Sequence, residues 1–442
     1  MLMTNVSSTS TMPASVKDNS LGWLGIIRLG LVQTCIGAIV VMTTSTLNRI
    51  MVVELSLPAL IPGILVALHY FVQVIRPKMG FISDKGKHKT PWIIGGMSVL
   101  AIGGAGASLG TAMMGVNLIL GLVISFIAFV MIGIGVSISG TSLLALLAKS
   151  VNDQRRAAGA TIVWLMMIFG FAITSVMIGK FIDPYTPAKV VTIACVVSVI
   201  AVLLTMMSLY RLEDSVSQYI QNQPEIQKEN MPFKEALAEM WRDSDIRHLT
   251  QFIFISMLAF SSQDLILEPF AGIVFHYSVG QTTSLSGLQH SGVLIGMLLV
   301  AASGFSFFRK YIGSLNAWVV YGCIASAIGM AGLCIGGLVG PTWPLNLNVF
   351  LLGVANGAFS IAAIGTMMRL AVADGLGKEG VRIGLWGGAQ AIAFGLGGLL
   401  GAVASDAARL LITDTASAYS SVFAVEAFLF IVSAKFATRI QR

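Results

Sequence analysis

Charged residues are scarce in this sequence. Aspartate, glutamate, lysine and arginine make up 11% of its 442 residues, whereas a soluble domain carries about 25%. Hydrophobic residues make up 56%, and the mean hydropathy is +0.85. This balance excludes an ordinary soluble protein and predicts a chain that crosses the membrane many times. The net charge of +7 does not indicate nucleic-acid binding, since the basic residues lie in short segments beside apolar runs.

Cysteine and the common enzyme motifs are also sparse. The four cysteines lie inside apolar runs and form no C-x-x-C pair, which argues against a disulfide framework or a metal site. The sequence has no G-x-x-x-x-G-K-[ST] nucleotide loop and no H-E-x-x-H zinc helix. One G-x-S-x-G occurs at 106–110, but inside an apolar run rather than between a strand and a helix. We therefore expect no enzyme, and no metal or nucleotide cofactor.

The sequence is rich in apolar runs of membrane length. A helix needs about 20 mostly apolar residues to cross the hydrocarbon core of a bilayer. Twelve runs meet this requirement and predict an all-α membrane protein with twelve transmembrane helices. The predicted spans are 29–52, 57–77, 91–114, 117–148, 158–181, 187–209, 247–274, 284–307, 315–338, 345–371, 382–404 and 418–437.

Basic residues alternate between the segments that join these spans. One side of the membrane is predicted to hold most of them, and the other side holds only Arg49, Lys180, Lys189 and Arg409. We call these the base-rich side and the base-poor side. Because loops rich in lysine and arginine stay in the cytoplasm, the base-rich side, with both chain termini, is predicted to be cytoplasmic.

One polar segment divides the spans into two sets of six. It predicts a cytoplasmic linker at 211–246, with an amphipathic helix near 231–237, between an N-terminal half at 21–210 and a C-terminal half at 247–442. Residues 1–20 are rich in serine and threonine and are expected to form a disordered tail.

The two halves repeat short motifs at nearly constant offsets. Gly80 of a Gly-Phe pair recurs as Gly304, an offset of 304 − 80 = 224. Arg156, which follows an acid by three positions, recurs as Arg382, an offset of 382 − 156 = 226. These offsets indicate a duplicated six-helix unit, as transporter folds often show.

The segment 76–96 concentrates charge between the second and third spans. In it, Gly80 and Asp84 are followed by Lys85 and Lys89. This arrangement resembles the loop between the second and third helices of major facilitator transporters, where an aspartate and basic side chains join neighbouring helix ends. The resemblance predicts a cytoplasmic latch formed by these four residues. The alternative is a charge cluster that only sets the orientation of the chain.

Ionisable residues inside the spans are costly in lipid and are therefore candidates for function. Arg49 and Glu54 lie where the first span ends, and they form either a structural ion pair or part of a binding or coupling site. His69 lies within the second span, and His276 and His290 flank the base-poor segment 280–283. A neutral imidazole can ligate a metal, but the spacing of these histidines does not predict a metal cluster.

Two carboxylates in the seventh span form the strongest candidate pair. Asp264 and Glu268 are four residues apart and share one helix face, just before Pro269, which bends or ends a helix. In lipid they should face a cavity, a cation or a hydrogen-bond partner. We predict a functional role for them, with a structural pair at the outer end of the helix as the alternative.

Glycine is abundant, and the densest run is at 395–401. Small residues let helices pack closely in lipid, which is one interpretation of this run. The other is a flat groove for a large planar ligand.

Five motifs spread along the chain carry a family resemblance. They are Asn48-Arg49-x-Met51-x-x-Glu54, Arg76-Pro77-x-x-Gly80, Gln263-Asp264-x-x-Leu267-Glu268-Pro269, Ala355-Asn356-Gly357-Ala358-Phe359 and the stretch GVRIGLWGGAQAIAFG at 380–395. Together they resemble the bacteriochlorophyll-delivery (PucC/LhaA-type) family of phototrophic bacteria, within the major facilitator superfamily. The last stretch adds Arg382 and Gln390 to the candidate binding or coupling residues.

The resemblance implies a major-facilitator-like fold in the bacterial inner, photosynthetic membrane. It also implies that the protein takes up bacteriochlorophyll as a transient ligand. A neutral imidazole is in principle able to ligate the magnesium of such a chlorin. The expected partners are light-harvesting antenna polypeptides, which receive the pigment during assembly, and pigment-synthesis enzymes. The alternative is a proton-coupled secondary transporter of a small solute, with Asp264 and Glu268 as proton carriers.

Overall fold

Twelve long helices follow one another in the part of the chain that the structure describes. The computed structural model describes residues 20–76, 88–217, 219, 242, 244–303, 314–372 and 379–440. The helices are α1 Trp23–Glu54, α2 Leu60–Ile75, α3 Thr90–Met114, α4 Leu118–Ser150, α5 Asp153–Ile182, α6 Pro187–Leu209, α7 Ser244–Val274, α8 Val279–Ser303, α9 Leu315–Val339, α10 Leu345–Val372, α11 Glu379–Leu411 and α12 Thr415–Ala437.

The predicted all-α architecture with twelve spans is confirmed. Among the described residues, eleven helices are long and apolar enough to cross a membrane, and α2 is a shorter apolar helix. The predicted span 57–77 begins too early because the chain turns after α1. Ser56 adopts a left-handed φ of 53° in this turn, and Pro58 has no backbone N–H to offer a preceding helix.

α1 departs from regular α-helical geometry at two places. Met42–Thr46 and Ile50–Glu54 form π-helical turns. Within the first turn, the hydroxyls of Thr43 and Thr44 each donate to the Val40 carbonyl oxygen at 2.9 Å, which competes with the regular backbone hydrogen bonds. Such turns rotate the following side chains and occur often at functional sites.

The buried apolar side chains form two main clusters. One includes Ile39, Met97 and Phe129 and draws mostly on α1 to α6. The other includes Phe252 and Phe359 and draws mostly on α7 to α12. We use N-terminal half and C-terminal half for these two sets of helices. The boundaries 21–210, 211–246 and 247–442 stay a prediction.

Small residues bring the two halves close together toward the base-poor side. A Cβ on Gly179 of α5 would lie 2.7 Å from the carbonyl oxygen of Gly280 at the start of α8. A Cβ on Gly63 of α2 would lie 2.7 Å from the Cβ of Ala402 in α11. These contacts define two seams between the halves, α5 with α8 and α2 with α11, and α1 with α7 and α8 forms a third.

Part of the predicted cytoplasmic latch lies outside the described residues. This applies to Gly80, Asp84 and Lys85, and also to the predicted amphipathic helix at 231–237. The tail 1–20 is described only at its last residue.

Lys89, the remaining latch residue, lies at the start of α3. The backbone N–H groups of Lys89 and Thr90 donate to the two oxygens of Glu213 at 2.7 and 2.9 Å. Glu213 follows α6, so its carboxylate joins two helix ends of the same half and complements the positive end of α3.

Candidate functional site

Polar side chains of the two halves meet where α1 contacts α7 and α8. Ser45, in the first π-helical turn of α1, hydrogen-bonds to Glu268 Oε1 of α7. The Ser45 hydroxyl oxygen also lies 3.1 Å from the Ser286 hydroxyl oxygen of α8. One turn further along α1, Asn48 Nδ2 donates to the Leu265 carbonyl oxygen of α7 at 2.7 Å. The π-helical turn therefore brings the polar residues of α1 onto the carboxylate face of α7.

Glu268 is a deeply buried member of this cluster. Its side chain is 1% exposed. Oε2 has no hydrogen-bond partner among the described residues. A buried carboxyl oxygen without a partner is costly, so this atom is suited to bind a proton or a ligand group.

Asp264 lies one turn before Glu268 and contacts the other wall of the site. Gln289 Nε2 of α8 donates to Asp264 Oδ1 at 3.2 Å. Two further titratable side chains interact electrostatically with this carboxyl, namely Tyr70 of α2 and Glu426 of α12. The predicted pair therefore lies where α2, α7, α8 and α12 converge.

Glu426 is a third carboxyl at membrane depth. It is 2% exposed, and neither of its oxygens has a hydrogen-bond partner in the described part of the chain. Its polar neighbours are the Ser262 hydroxyl and the Asp264 carboxyl, both on α7. These neighbours could not be predicted from the sequence, since helices twelve and seven are far apart along the chain.

Arg49 and Glu54 form an ion pair across the second π-helical turn of α1. Arg49 Nη2 also donates to the Tyr277 carbonyl oxygen, in the turn between α7 and α8, at 3.0 Å. The guanidinium thus joins the end of α1 to the C-terminal half. This geometry fits the structural interpretation of the pair.

The three candidate histidines are not brought together. His276 is exposed, with a φ of 57°, in the turn after α7. His69 is buried, and Gln73 Nε2 lies 2.9 Å from His69 Nε2, so the amide occupies that nitrogen. His290 is buried beside the polar cluster, and its Nδ1 donates to the Ser286 carbonyl oxygen at 2.8 Å. This bond leaves the lone pair of a neutral His290 on Nε2.

An aromatic group lines the seam between α2, α7 and α11. Tyr70 and Phe394 are stacked with ring centroids 5.5 Å apart. Phe260 meets Phe394 edge-on at 5.9 Å. Gln390 lies one turn before Phe394, with its Nε2 3.9 Å from Met257 Sδ. The side chain of Arg382 lies outside what the structure describes.

The glycine run at 395–401 serves close helix packing. A Cβ on Gly397 would lie 2.4 Å from the Leu258 carbonyl oxygen of α7. A Cβ on Gly401 would lie 2.4 Å from the Ser262 hydroxyl oxygen. These positions leave no space for a planar ligand, so the packing interpretation is the one that the structure supports there.

Several members of the cluster could not be predicted from the sequence, namely Ser45, Tyr70, Ser286, Gln289 and Phe394. Serine, glutamine and aromatic residues are common in membrane helices, so their types carried no signal. The one available signal was the polar run at 43–46 inside an otherwise apolar span.

A family model described as "PUCC protein" matches residues 46–442. The chain belongs to this family. The predicted PucC/LhaA-type membership is thereby confirmed. The "Bacteriochlorophyll synthase 44.5 kDa chain" of Rhodobacter capsulatus is 48% identical over 95% of this chain and 96% of the relative. "Protein PucC" of the same organism is 28% identical over 96% of this chain and 94% of the relative.

Solved structures place the fold among the major facilitator transporters. The nucleoside transporter NupG covers 94% of this chain at a TM-score of 0.67 and 14% identity, and all of the NupG chain is matched. The peptide transporter POT covers 96% of this chain, with 97% of its own length matched, at a TM-score of 0.69 and 15% identity. At these identities the likeness shows the fold alone. The protein is thus a helical membrane protein of the PucC family with a transporter-type fold.

Proposed function

We propose that this PucC-family protein binds bacteriochlorophyll within the photosynthetic membrane and passes it to light-harvesting polypeptides. The family and the pigment in the printed name of the 48% identical relative support the substrate class. That printed name also contains the word synthase, but the transporter-type fold favours a carrier. The proposal therefore includes no covalent step, and antenna polypeptides and pigment-synthesis enzymes are its partners.

The observation that carries the proposal is one connected set of side chains at the α1, α7 and α8 seam. Glu268 contacts Ser45, Ser45 lies beside Ser286, and the Ser286 carbonyl orients His290. A chlorin offers a magnesium ion and ring carbonyls. His290 Nε2 fits the magnesium, and Glu268 Oε2, which has no partner among the described residues, fits a carbonyl when the carboxyl carries a proton.

Stacked aromatic rings nearby add a surface suited to a macrocycle. Tyr70 and Phe394 are joined to the polar cluster through Asp264, which neighbours Tyr70. Aromatic pairs favour stacking with a further flat ring system. The site thus combines an apolar wall with a few convergent polar groups, as small-molecule sites do.

A second function, proton-coupled transport of a small solute, is favoured by one specific observation. Glu268 and Glu426 are buried, and no ion pair to either of them is present in the described part of the chain. Buried carboxyls that form no ion pair are suited to gain and lose protons. The fold is also that of transporters.

Amide substitutions separate the two functions. A carboxamide NH₂ can still donate a hydrogen bond to a pigment carbonyl, but it cannot release a proton in a transport cycle. Delivery predicts that Asp264→Asn and Glu268→Gln keep substantial antenna assembly, while Asp264→Ala and Glu268→Ala lose more. Coupled transport predicts that amides and alanines fail equally.

The assay is the amount of light-harvesting complex, measured by near-infrared absorption and normalised to the abundance of each variant in the membrane. Asp414→Asn, at an exposed carboxylate in the α11–α12 loop, is the matched control and should behave as wild type. If all four site variants also behave as wild type, Asp264 and Glu268 are not the site.

A further inference from the structure

On the base-poor side, Asp183 caps a helix of the opposite half. It follows α5 of the N-terminal half and accepts a hydrogen bond from the Gly280 backbone N–H, at the start of α8, at 3.0 Å. The Ser278 hydroxyl donates to its second oxygen. The contact lies where Gly179 of α5 packs against Gly280. Asp183 therefore crosses the α5–α8 seam.

Asp406 makes the corresponding contact in the other direction. It lies near the end of α11 of the C-terminal half and accepts from the backbone N–H groups of Ala59 and Leu60 at 3.0 and 2.8 Å. These groups begin α2 of the N-terminal half. The contact lies beside the close approach of Gly63 and Ala402, so Asp406 crosses the α2–α11 seam.

The two contacts are related by the internal duplication. Asp406 follows Asp183 at an offset of 406 − 183 = 223, and Gly280 follows Leu60 at an offset of 280 − 60 = 220. Both offsets are close to those between the repeated motifs of the two halves. In both contacts, the fifth helix of one half supplies a carboxylate to the start of the second helix of the other half.

Each contact is favourable only while its seam is closed. The first N–H groups of a helix have no partner within the helix, and the helix dipole places partial positive charge there. A carboxylate accepts hydrogen bonds from these N–H groups and complements the positive charge. Asp183 and Asp406 each belong to one half and cap a helix of the other half. Separation of the halves on this side therefore breaks both caps at once.

We propose that Asp183 and Asp406 are a matched pair of cross-seam caps that hold the base-poor side closed. This side opens only when both caps separate, and loss of either one shifts the protein toward the open arrangement. The proposal concerns the motion of the two halves and does not depend on the identity of the ligand.

Accessibility of a buried residue at the closed side tests the caps. Thr283 of α8 is 0% exposed, and its hydroxyl lies 3.5 Å from the Thr46 hydroxyl of α1. In full-length protein with the native cysteines replaced by alanine, Thr283→Cys is labelled with a membrane-impermeant maleimide. Vesicles of both orientations are used, so that the maleimide reaches either the base-poor side or the base-rich side.

Asp183→Ala and Asp406→Ala should each raise the labelling rate from the base-poor side about tenfold, since a hydrogen bond to a charged group shifts an equilibrium by about that factor or more. The double variant should label faster than either single variant. Asp183→Asn should stay near wild type, because its amide oxygen can still accept from the Gly280 N–H and asparagine caps a helix about as well as aspartate. Asp406→Asn should label at a rate between those of wild type and Asp406→Ala, because the amide keeps only one of the two oxygens that accept from Ala59 and Leu60.

Asp414→Ala is the matched control. It removes a carboxylate cap of the same kind, with the Ser417 N–H donating at 2.9 Å, but that cap lies within one half. Labelling should therefore be unchanged by this substitution. The proposal is overturned if the Asp183→Ala and Asp406→Ala variants label no faster than Asp414→Ala.

Ser278→Ala provides a milder variant in case the alanine substitutions prevent insertion. It removes one of the two donors to Asp183 and leaves both carboxylates in place. We expect labelling a few-fold to about tenfold faster than wild type, because one hydrogen bond to the carboxylate is lost while the bond from the Gly280 N–H remains. An unchanged rate also overturns the proposal.

Discussion

Two glutamates near the end of α1 and α7 have opposite electrostatic surroundings. Glu54 pairs with the Arg49 guanidinium, and its side chain is 32% exposed. Glu268 is 1% exposed and contacts the Ser45 hydroxyl, while its second oxygen has no partner among the described residues. The first arrangement satisfies its charge within the protein. The second leaves a buried acceptor that the fold itself does not satisfy.

This difference separates a structural ion pair from a candidate site. When one partner of a buried ion pair is removed, the protein becomes less stable, because the remaining charge stays buried without a counter-charge. A carboxyl that forms no ion pair can instead be replaced by a neutral group of the same shape at little cost. Stability measurements therefore distinguish the two roles before any functional assay is made.

The largest effect should come from Glu54→Ala. This change leaves Arg49 buried without its carboxylate, at a cost of about 3 kcal/mol, the low end for a broken buried pair since Glu54 is partly exposed. Thermal unfolding of the purified protein in mild detergent measures the loss. Arg49→Met combined with Glu54→Leu should recover most of it, and no recovery would show that the pair does not act as a unit.

Ser45→Ala should have a smaller effect. It removes the hydroxyl that contacts both Glu268 and Ser286, and leaving a buried acceptor without its donor costs about 1–2 kcal/mol. The same unfolding assay applies, with Ser433→Ala on α12 as a control, because that buried hydroxyl donates only to a carbonyl of its own helix. If the two variants lose the same unfolding stability, the contacts of Ser45 with Glu268 and Ser286 contribute nothing beyond an ordinary hydroxyl-to-carbonyl bond.

Glu268→Gln should change stability by less than about 1 kcal/mol, because the amide keeps a group that bonds Ser45 and removes a buried ionisable group. Glu54→Gln is the matched comparison and should destabilise more, since Arg49 then loses its counter-charge. If Glu268→Gln is the more destabilising change, Glu268 belongs to a structural ion pair and the contrast is wrong.

The smallest effect on stability should come from Asp414→Ala, which removes an exposed carboxylate that caps a helix outside the membrane. Hydrogen bonds from the Ser417 hydroxyl at 2.6 Å and from its backbone N–H at 2.9 Å lower the pKa of this carboxyl. Its contribution is therefore present above the unfolded pKa of about 3.9 and is lost as the pH falls through the folded value. Wild type should unfold at a slightly higher temperature than Asp414→Ala at neutral pH, and the two should converge in acid. A gap that persists in acid would assign the effect to packing.

The twelve helices were predictable because lipid imposes a length of about 20 apolar residues on each span. The ends agree within a few residues at α3, α6 and α9, where polar loops follow directly. The predicted start of α2 is wrong, because hydropathy does not distinguish the apolar residues of the turn after α1 from those of the helix.

The site was only partly predictable. Asp264, Glu268 and His290 are unusual residues for lipid, so the sequence alone makes them candidates. Their partners Ser45 and Gln289 were not, because ordinary polar residues gain their role only through contacts between helices distant in sequence. The π-helical turn that orients Ser45 also has no signature in the sequence beyond the polar run around it.

The most direct test of the central proposal is the pigment content of the purified protein. Full-length protein is isolated in mild detergent from pigment-producing cells, and bound bacteriochlorophyll is measured by near-infrared absorption. Wild type should retain pigment, His290→Leu should lose most of it, and His69→Leu should retain it, since Gln73 already occupies the His69 ring nitrogen. Wild-type protein without pigment, or full pigment in His290→Leu, would contradict the proposed binding site.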